Sequence, residues 1–334
     1  MGVKKIDYIG MAKPMVDGDA ALFRLAQRRF AQLGLGVEIY PAGPEHLREL
    51  SVFFPEGAVN TVHLPYHYNL TNPEHFAEIA ACAQIGGVRG FTLHEYKYAA
   101  APEAFKDAAR RLSAVLQKAP GRPAVFLEFV GGLDGYTEAL KLVHGIPLIC
   151  PCLDAGHIAV EHCQARLRRR FPELDQKLLS PDFPGLEKYI AGIQEAVRGA
   201  LDDALDSIRG FLDMGWEKVH FHCHNIHPLS KFSPYPIRDH LSFLKQIPLP
   251  FAFNGRKVVD GVYNIAGARR LHALLADAAR DNDLSLMLEI HRQPGHLPLG
   301  ADADLFSHWA DLENAEAMNY HLELIAQCYN VLMA

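Results

Sequence analysis

The sequence predicts an α/β protein folded as a closed (β/α)8 TIM barrel. Three observations predict it. Eight short β-rich runs alternate with longer helical patterns, the mark of successive βαβ units. Most of those runs are too uniformly apolar for strands with one wet face, so they suit a parallel sheet covered on both sides. Side chains able to bind metal gather at the carboxyl ends of six of the eight runs, where the active sites of such barrels sit.

The predicted strands are Ile6–Met11, Val37–Pro41, Asn60–Tyr66, Gly90–Glu95, Ala124–Val130, Leu148–Asp154, Lys218–His224 and Ser285–His291. Between them, Ala20–Leu33, Pro102–Gln117, Gly267–Asp281 and Glu313–Leu332 carry apolar residues at helical spacing. Pro73–Gly86 does the same and opens on Asn72-Pro73, a cap residue followed by a first-turn proline. Two connections are long. Residues 163–215 read as a helical insertion between strands six and seven. Their basic run Arg166–Arg170 reads as a solvated helix face. Residues 225–261, rich in proline and aromatics, read as a lid or wall over the barrel mouth, or as a subunit contact.

The 334 residues suit one barrel domain spanning 1–334. The formal net charge of -6 disfavours a nucleic-acid partner, which a basic surface would favour. No run approaches about 18 uninterrupted apolar residues, so no membrane helix is expected. The N-terminus lacks the apolar stretch of a signal peptide, and the six cysteines form no CxxC pair. A cytoplasmic chain with buried thiols is therefore expected. A homo-oligomer stays open.

Six strands end in chemistry-bearing residues: His63 and His67; His94; Glu128; Asp154 and His157; His220, His222 and His224; Glu289, His291 and Arg292. Singly each is weak, because a strand-end histidine or glutamate is commonly a satisfied core or capping residue. Together they are strong. Glu128, Asp154 and Glu289 each follow an apolar run, and buried carboxylates are costly unless paired or metal-bound. Convergent anions would raise one another's pKa unless a cation held them. Imidazole with carboxylate suits Zn, Mn, Co or Fe better than Ca. One such ion is expected and two are open. His220 reads as a packed residue deeper in the barrel, His224 as a support or substrate contact, and His291 as ambiguous. Lys97 is a minor site candidate.

The segments "VHLPYHYNL", "CLDAGH", "HFHCHN" and "LEIHR", in this order between Val62 and Arg292, resemble the xylose-isomerase-like barrel superfamily. That superfamily holds sugar isomerases and epimerases, dehydratases and endonuclease IV. The resemblance implies a metal site of Glu128, Asp154, His222 and Glu289, with His157 binding substrate or a second metal. His63 and His94 match the pair that holds an additional zinc in endonuclease IV. His240 matches the histidine of that family's Asp-x-His loop, but Arg238 stands where the aspartate belongs and Asp239 comes one residue late. Asp260-Gly261 takes the place of the usual Gly-Glu-Gly.

The function this implies is a metal-dependent sugar or sugar-phosphate isomerase or epimerase. The metal would polarise a substrate carbonyl. Glu128 and Glu289 would remove and return the proton through an enediolate. His157, Arg292, His67 and His224 would contact the substrate. The alternatives are a multinuclear phosphodiesterase like endonuclease IV, favoured by His63 and His94, and a dehydratase using the same proton abstraction. A non-catalytic metal or sugar binder is the alternative from another class.

Overall fold

A computed structural model of the protein describes residues 6–11, 20–94, 100–128, 132–173, 185–228, 240–249, 257–291 and 315–334. The chain divides into two compact units. The first is Met1–Asp154 with Phe211–His222 and Leu275–Leu288. The second is Ala155–Gly210 with Cys223–Leu274 and Glu289–Ala334.

The first unit carries the barrel. Its strands are β1 (Asp7–Met11), β2 (Gly36–Ile39), β3 (Asn60–His63), β4 (Val88–His94), β5 (Ala124–Glu128), β6 (Ile149–Asp154), β7 (Lys218–Cys223) and β10 (Asp283–Leu288). They close in the order β1-β10-β7-β6-β5-β4-β3-β2. All eight predicted runs are strands. Several stop short of their predicted carboxyl ends: β3 ends at His63, one residue before Leu64-Pro65, where the proline can donate no ladder hydrogen bond. The strands are almost wholly buried, as a core filled from both faces requires. The interior is close-packed: a Cβ on Gly90 would stand 2.3 Å from the Phe126 ring. At the amino ends, Arg89 of β4 ties together two strand starts, with Nη1 3.0 Å from Asp7 and Nη2 2.8 Å from Asp283.

Around the strands run α1 (Ala20–Leu33), α2 (Pro44–Leu50), α3 (Pro73–Cys82), α4 (Pro102–Leu116) and α5 (Leu133–Val143). Helix α3 starts as its sequence dictates: the Asn72 side chain accepts from the backbone N–H groups of Glu74 and His75, and Pro73 fills the first turn. Helices α2 and α5 were not among the predicted helices. At 7 and 11 residues they are short for a periodicity to stand out.

The second unit contains α6 (Ala155–Arg170) and most of α7 (Ile190–Leu212). It also contains the antiparallel pair β8 (Ile247–Leu249) and β9 (Lys257–Val259), most of α8 (Ile265–Ala278), and α9 (Ala315–Met333). The arginine run is solvent-exposed over Arg168–Arg170, as expected, and it also makes ion pairs to the next helix. Arg166 holds Asp203 of α7 through Nε at 2.7 Å and Nη2 at 2.9 Å, and Arg170 pairs with Glu195. Successive turns of the basic face thus join α6 to α7. Among the described residues no helix is long and apolar enough to cross a membrane.

Candidate metal centre

Parallel register places the site residues of the barrel unit side by side. His94 of β4 is paired with Glu128 of β5, and Asp154 of β6 with His222 of β7. Each of these residues closes its strand or lies one residue short of its end, so their side chains collect at the carboxyl end of the barrel.

Glu128 is the hub. Its Oε2 stands 3.1 Å from His63 Nε2 and contacts His94 Nε2, and its Oε1 stands 3.0 Å from His222 Nδ1. Burial raises the Glu128 pKa, but His94, His222 and His63 outweigh it and hold the carboxyl well below its ordinary range. His63, His94 and Glu128 each bring a donor atom within 4.8 Å of the others, and Glu128, Asp154 and His222 do the same. Glu128 therefore belongs to two ligand-like sets at once. His63 is already oriented: its Nδ1 lies 2.9 Å from the Leu64 carbonyl oxygen, and the Tyr40 ring stacks on it at 4.6 Å. With Nδ1 held by that carbonyl, Nε2 is the nitrogen turned to Glu128, where a metal ion would take the place of the shared proton.

Glu38 of β2 was missed by the sequence reading. It is fully buried. Its Oε2 accepts from Thr61 Oγ1 at 2.6 Å and stands 3.0 Å from His220 Nε2, while its Oε1 stands 3.3 Å from His222 Nε2. Burial raises its pKa, but His222 and His220 pull it far below the usual carboxylate range. The only hint in the sequence was a glutamate between Val37 and Ile39 in a strand that must be buried. His220 is fully buried, with Nδ1 2.8 Å from Ser285 Oγ. Cys152, His220 and His222 also bring donor atoms within 4.8 Å. Both ring nitrogens of His220 are already engaged, however, and burial pushes the Cys152 thiol pKa well up. That trio reads as a packed polar layer rather than a ligand set.

The second unit has its own grouping. His157 lies in the first turn of α6, three residues past Asp154. His224 and His240 stack at 3.8 Å, and each meets the His157 ring edge-on at 5.5 Å. Backbone bridges hold these residues, Asn225 to Leu241 and His240 to His291. His224 Nδ1 stands 2.9 Å from the Asn225 carbonyl oxygen, and His240 Nδ1 stands 3.2 Å from Glu289 Oε2. Glu289 Oε1 is 3.4 Å from His291 Nε2. Burial, then the neighbouring His224, lower the His240 pKa well below its ordinary value, against the pull of Glu289. Gly156 makes the stack sterically feasible, since a Cβ there would stand 2.3 Å from the His224 ring. Two sets in this unit bring donor atoms within 4.8 Å of one another: His157, His224 and His240; and His240, Glu289 and His291.

His67 is exposed and is not drawn into either grouping; its ring neighbours are Tyr66, Tyr68 and His75. Lys97, Arg238, Asp239 and Arg292 lie outside the described residues.

The donor chemistry fits a divalent cation. Among the described residues the ion-pair partners of Glu38 and Glu128 are histidines alone, so no lysine or arginine neutralises them. Imidazole and carboxylate oxygen together are the ligand mixture that zinc, manganese, cobalt and iron accept.

No family model matches the sequence, and no curated protein matches it. Among solved structures, the chain is similar to a xylose isomerase domain protein from Alicyclobacillus acidocaldarius subsp. acidocaldarius. Identity is 12% and the TM-score 0.46, over 98% of this chain and 99% of that one. It is also similar to a xylose isomerase domain protein from Planctomyces limnophilus, at 12% identity and TM-score 0.43, over 99% of each chain. At these values the likeness carries no weight for function, and the barrel stands on its own strand order.

Proposed function

We propose that this chain is a metal-dependent isomerase or epimerase of sugars or sugar phosphates. The observation that carries the reading is the meeting of Glu128, Asp154 and His222 at the carboxyl end of the barrel, with donor atoms within 4.8 Å. In this reading the three hold the ion. Glu289, which follows the last residue of β10, joins them on the strength of the sequence motif. A bound divalent ion would supply Lewis-acid polarisation of a substrate carbonyl and so acidify the adjacent C–H. Glu128 and Glu289 would then take and return the proton, with Glu128 held anionic by its histidines. His63 would help to hold Glu128 in one orientation. His157, His224, His67 and Arg292 are the proposed substrate contacts.

The test is incorporation of solvent deuterium into aldose and ketose substrates, free and phosphorylated. Wild type is expected to exchange a C–H proton, and Glu128→Gln to lose at least about a hundredfold of that rate, the scale of removing a general base. Undiminished exchange in Glu128→Gln would overturn the assignment.

A second reading is favoured by one observation. Glu128 is shared between Asp154 and His222 on one side and His63 and His94 on the other, which is how a carboxylate bridges two ions. Two-metal centres clamp phosphoesters. Hydrolysis of a phosphodiester, with two or more zinc ions per chain, would replace the isomerase reading. The net charge of -6 points to a small phosphoester rather than a nucleic-acid strand.

A further inference from the structure

Among the described residues Glu38 falls in none of the ligand sets, yet it occupies the interior of a barrel that aliphatic side chains would fill at less cost. Its two oxygens are committed to different neighbours. Oε2 takes the Thr61 hydroxyl at 2.6 Å and faces His220 Nε2 at 3.0 Å. His220 is in turn fixed by Ser285 Oγ at 2.8 Å. Oε1 is left to face His222 Nε2 at 3.3 Å, while the other nitrogen of that ring, Nδ1, points at Glu128 Oε1 at 3.0 Å. His222 thus lies between two carboxylates: Nδ1 makes the hydrogen bond, to Glu128, and the Oε1 contact is longer and outside hydrogen-bond geometry, but an ion taken at Nδ1 would leave Oε1 of Glu38 as the acceptor nearest the Nε2 proton.

We propose that Glu38 is a positioning residue for metal: it holds the proton of His222 on Nε2 and leaves the Nδ1 lone pair on the side of Glu128 and Asp154. The inference rests on the metal-site reading above. A carboxylate behind a ligating imidazole fixes its tautomer and ring plane and raises its basicity. Here that carboxylate comes from β2, a strand that contributes nothing to the ligand sets.

An amide at position 38 offers an oxygen to one side only. With its oxygen kept on Thr61 and His220, its NH2 faces His222 Nε2 as a donor and drives the ring proton to Nδ1. In the opposite orientation the negative charge behind the ring is still lost. Glu38→Gln should therefore weaken zinc binding by about 10–100-fold. Ser285→Ala loosens the same buried network without touching His222, and should leave zinc affinity within about threefold, since it removes no partner of the ligand.

The experiment is competition titration of the full metal-free chain with zinc, for wild type, Glu38→Gln and Ser285→Ala, with 15N-histidine spectra of the zinc-loaded wild type. The expected spectrum has the His222 proton on Nε2 and the metal on Nδ1. Equal zinc affinity in Glu38→Gln and wild type would overturn the role of Glu38, as would equal losses in Glu38→Gln and Ser285→Ala. So would a wild-type spectrum with the proton on Nδ1, which decides the matter even if Glu38→Gln fails to fold. A wild type that takes up no zinc would instead overturn the metal reading itself.

Discussion

The two histidine groupings are built on opposite plans. In the barrel unit a carboxylate sits at the centre, and His63, His94 and His222 surround Glu128. In the second unit an imidazole sits at the centre, and His157, His224, His291 and the Glu289 carboxylate stand around His240. The first environment stabilises an anion and the second a neutral ring. Both leave lone pairs that a divalent cation can take in place of protons. The barrel grouping is centred on a charge that must be compensated, whereas the second is centred on a ring held neutral.

The largest break in this comparison is Glu128→Ala. It removes the partner of three imidazoles, and loss of one member of a buried ion pair costs about 3–5 kcal/mol. The variant should lose stability on that scale in denaturant titration of the metal-free chain, and it should no longer take up the barrel ion. Next is Gly156→Ala. Its methyl would meet the His224 ring at 2.3 Å, and overpacking of this kind costs about 1–3 kcal/mol. The loss should appear in the same denaturant titration of the metal-free chain.

Acidity separates them in the metal-free protein. The folded-state pKa of His240 is depressed, so its contribution is fully present above the unfolded value of about 6.5. That contribution erodes as pH falls below this value, because the unfolded chain takes the proton first, at up to about 1.4 kcal/mol per pH unit. Glu128 is also depressed, from an unfolded value of about 4.3. Its contribution persists above that pH and is lost as pH falls toward its folded value. Chemical denaturation at pH 7.5, 5.5 and 3.5 should show His240→Gln flattening the upper interval and Glu128→Gln only the lower. The smallest effect belongs to Asp203→Asn. It breaks the half-exposed Arg166 pair between α6 and α7 and should cost about 0.2–1 kcal/mol in the same assay, with no change in metal uptake.

The barrel was legible because buried parallel strands leave a local signal, an apolar run closed by a polar residue. Glu128, Asp154 and His222 could be picked out for the same reason. Glu38 could not. Its meaning depends on His220, 182 residues away in sequence, and only barrel closure puts the two strands' side chains in reach. The pairing of His224 with His240 was hidden likewise. Strand alternation placed His224 beside His222, but its ring partner comes from residues 240–241, which return to bridge Asn225. The ion pairs of Arg166 and Arg170 left no local signal because their acidic partners lie on another helix.

The central claim is that Glu128 organises a metal centre, and metal analysis of the full chain, purified without chelator or histidine tag, tests it most directly. Wild type is expected to carry, or take up on titration with zinc, manganese, cobalt or iron, at least one ion per chain that Glu128→Ala cannot hold. Wild type that binds none of the four, or a Glu128→Ala variant that binds as many ions as tightly, would contradict it.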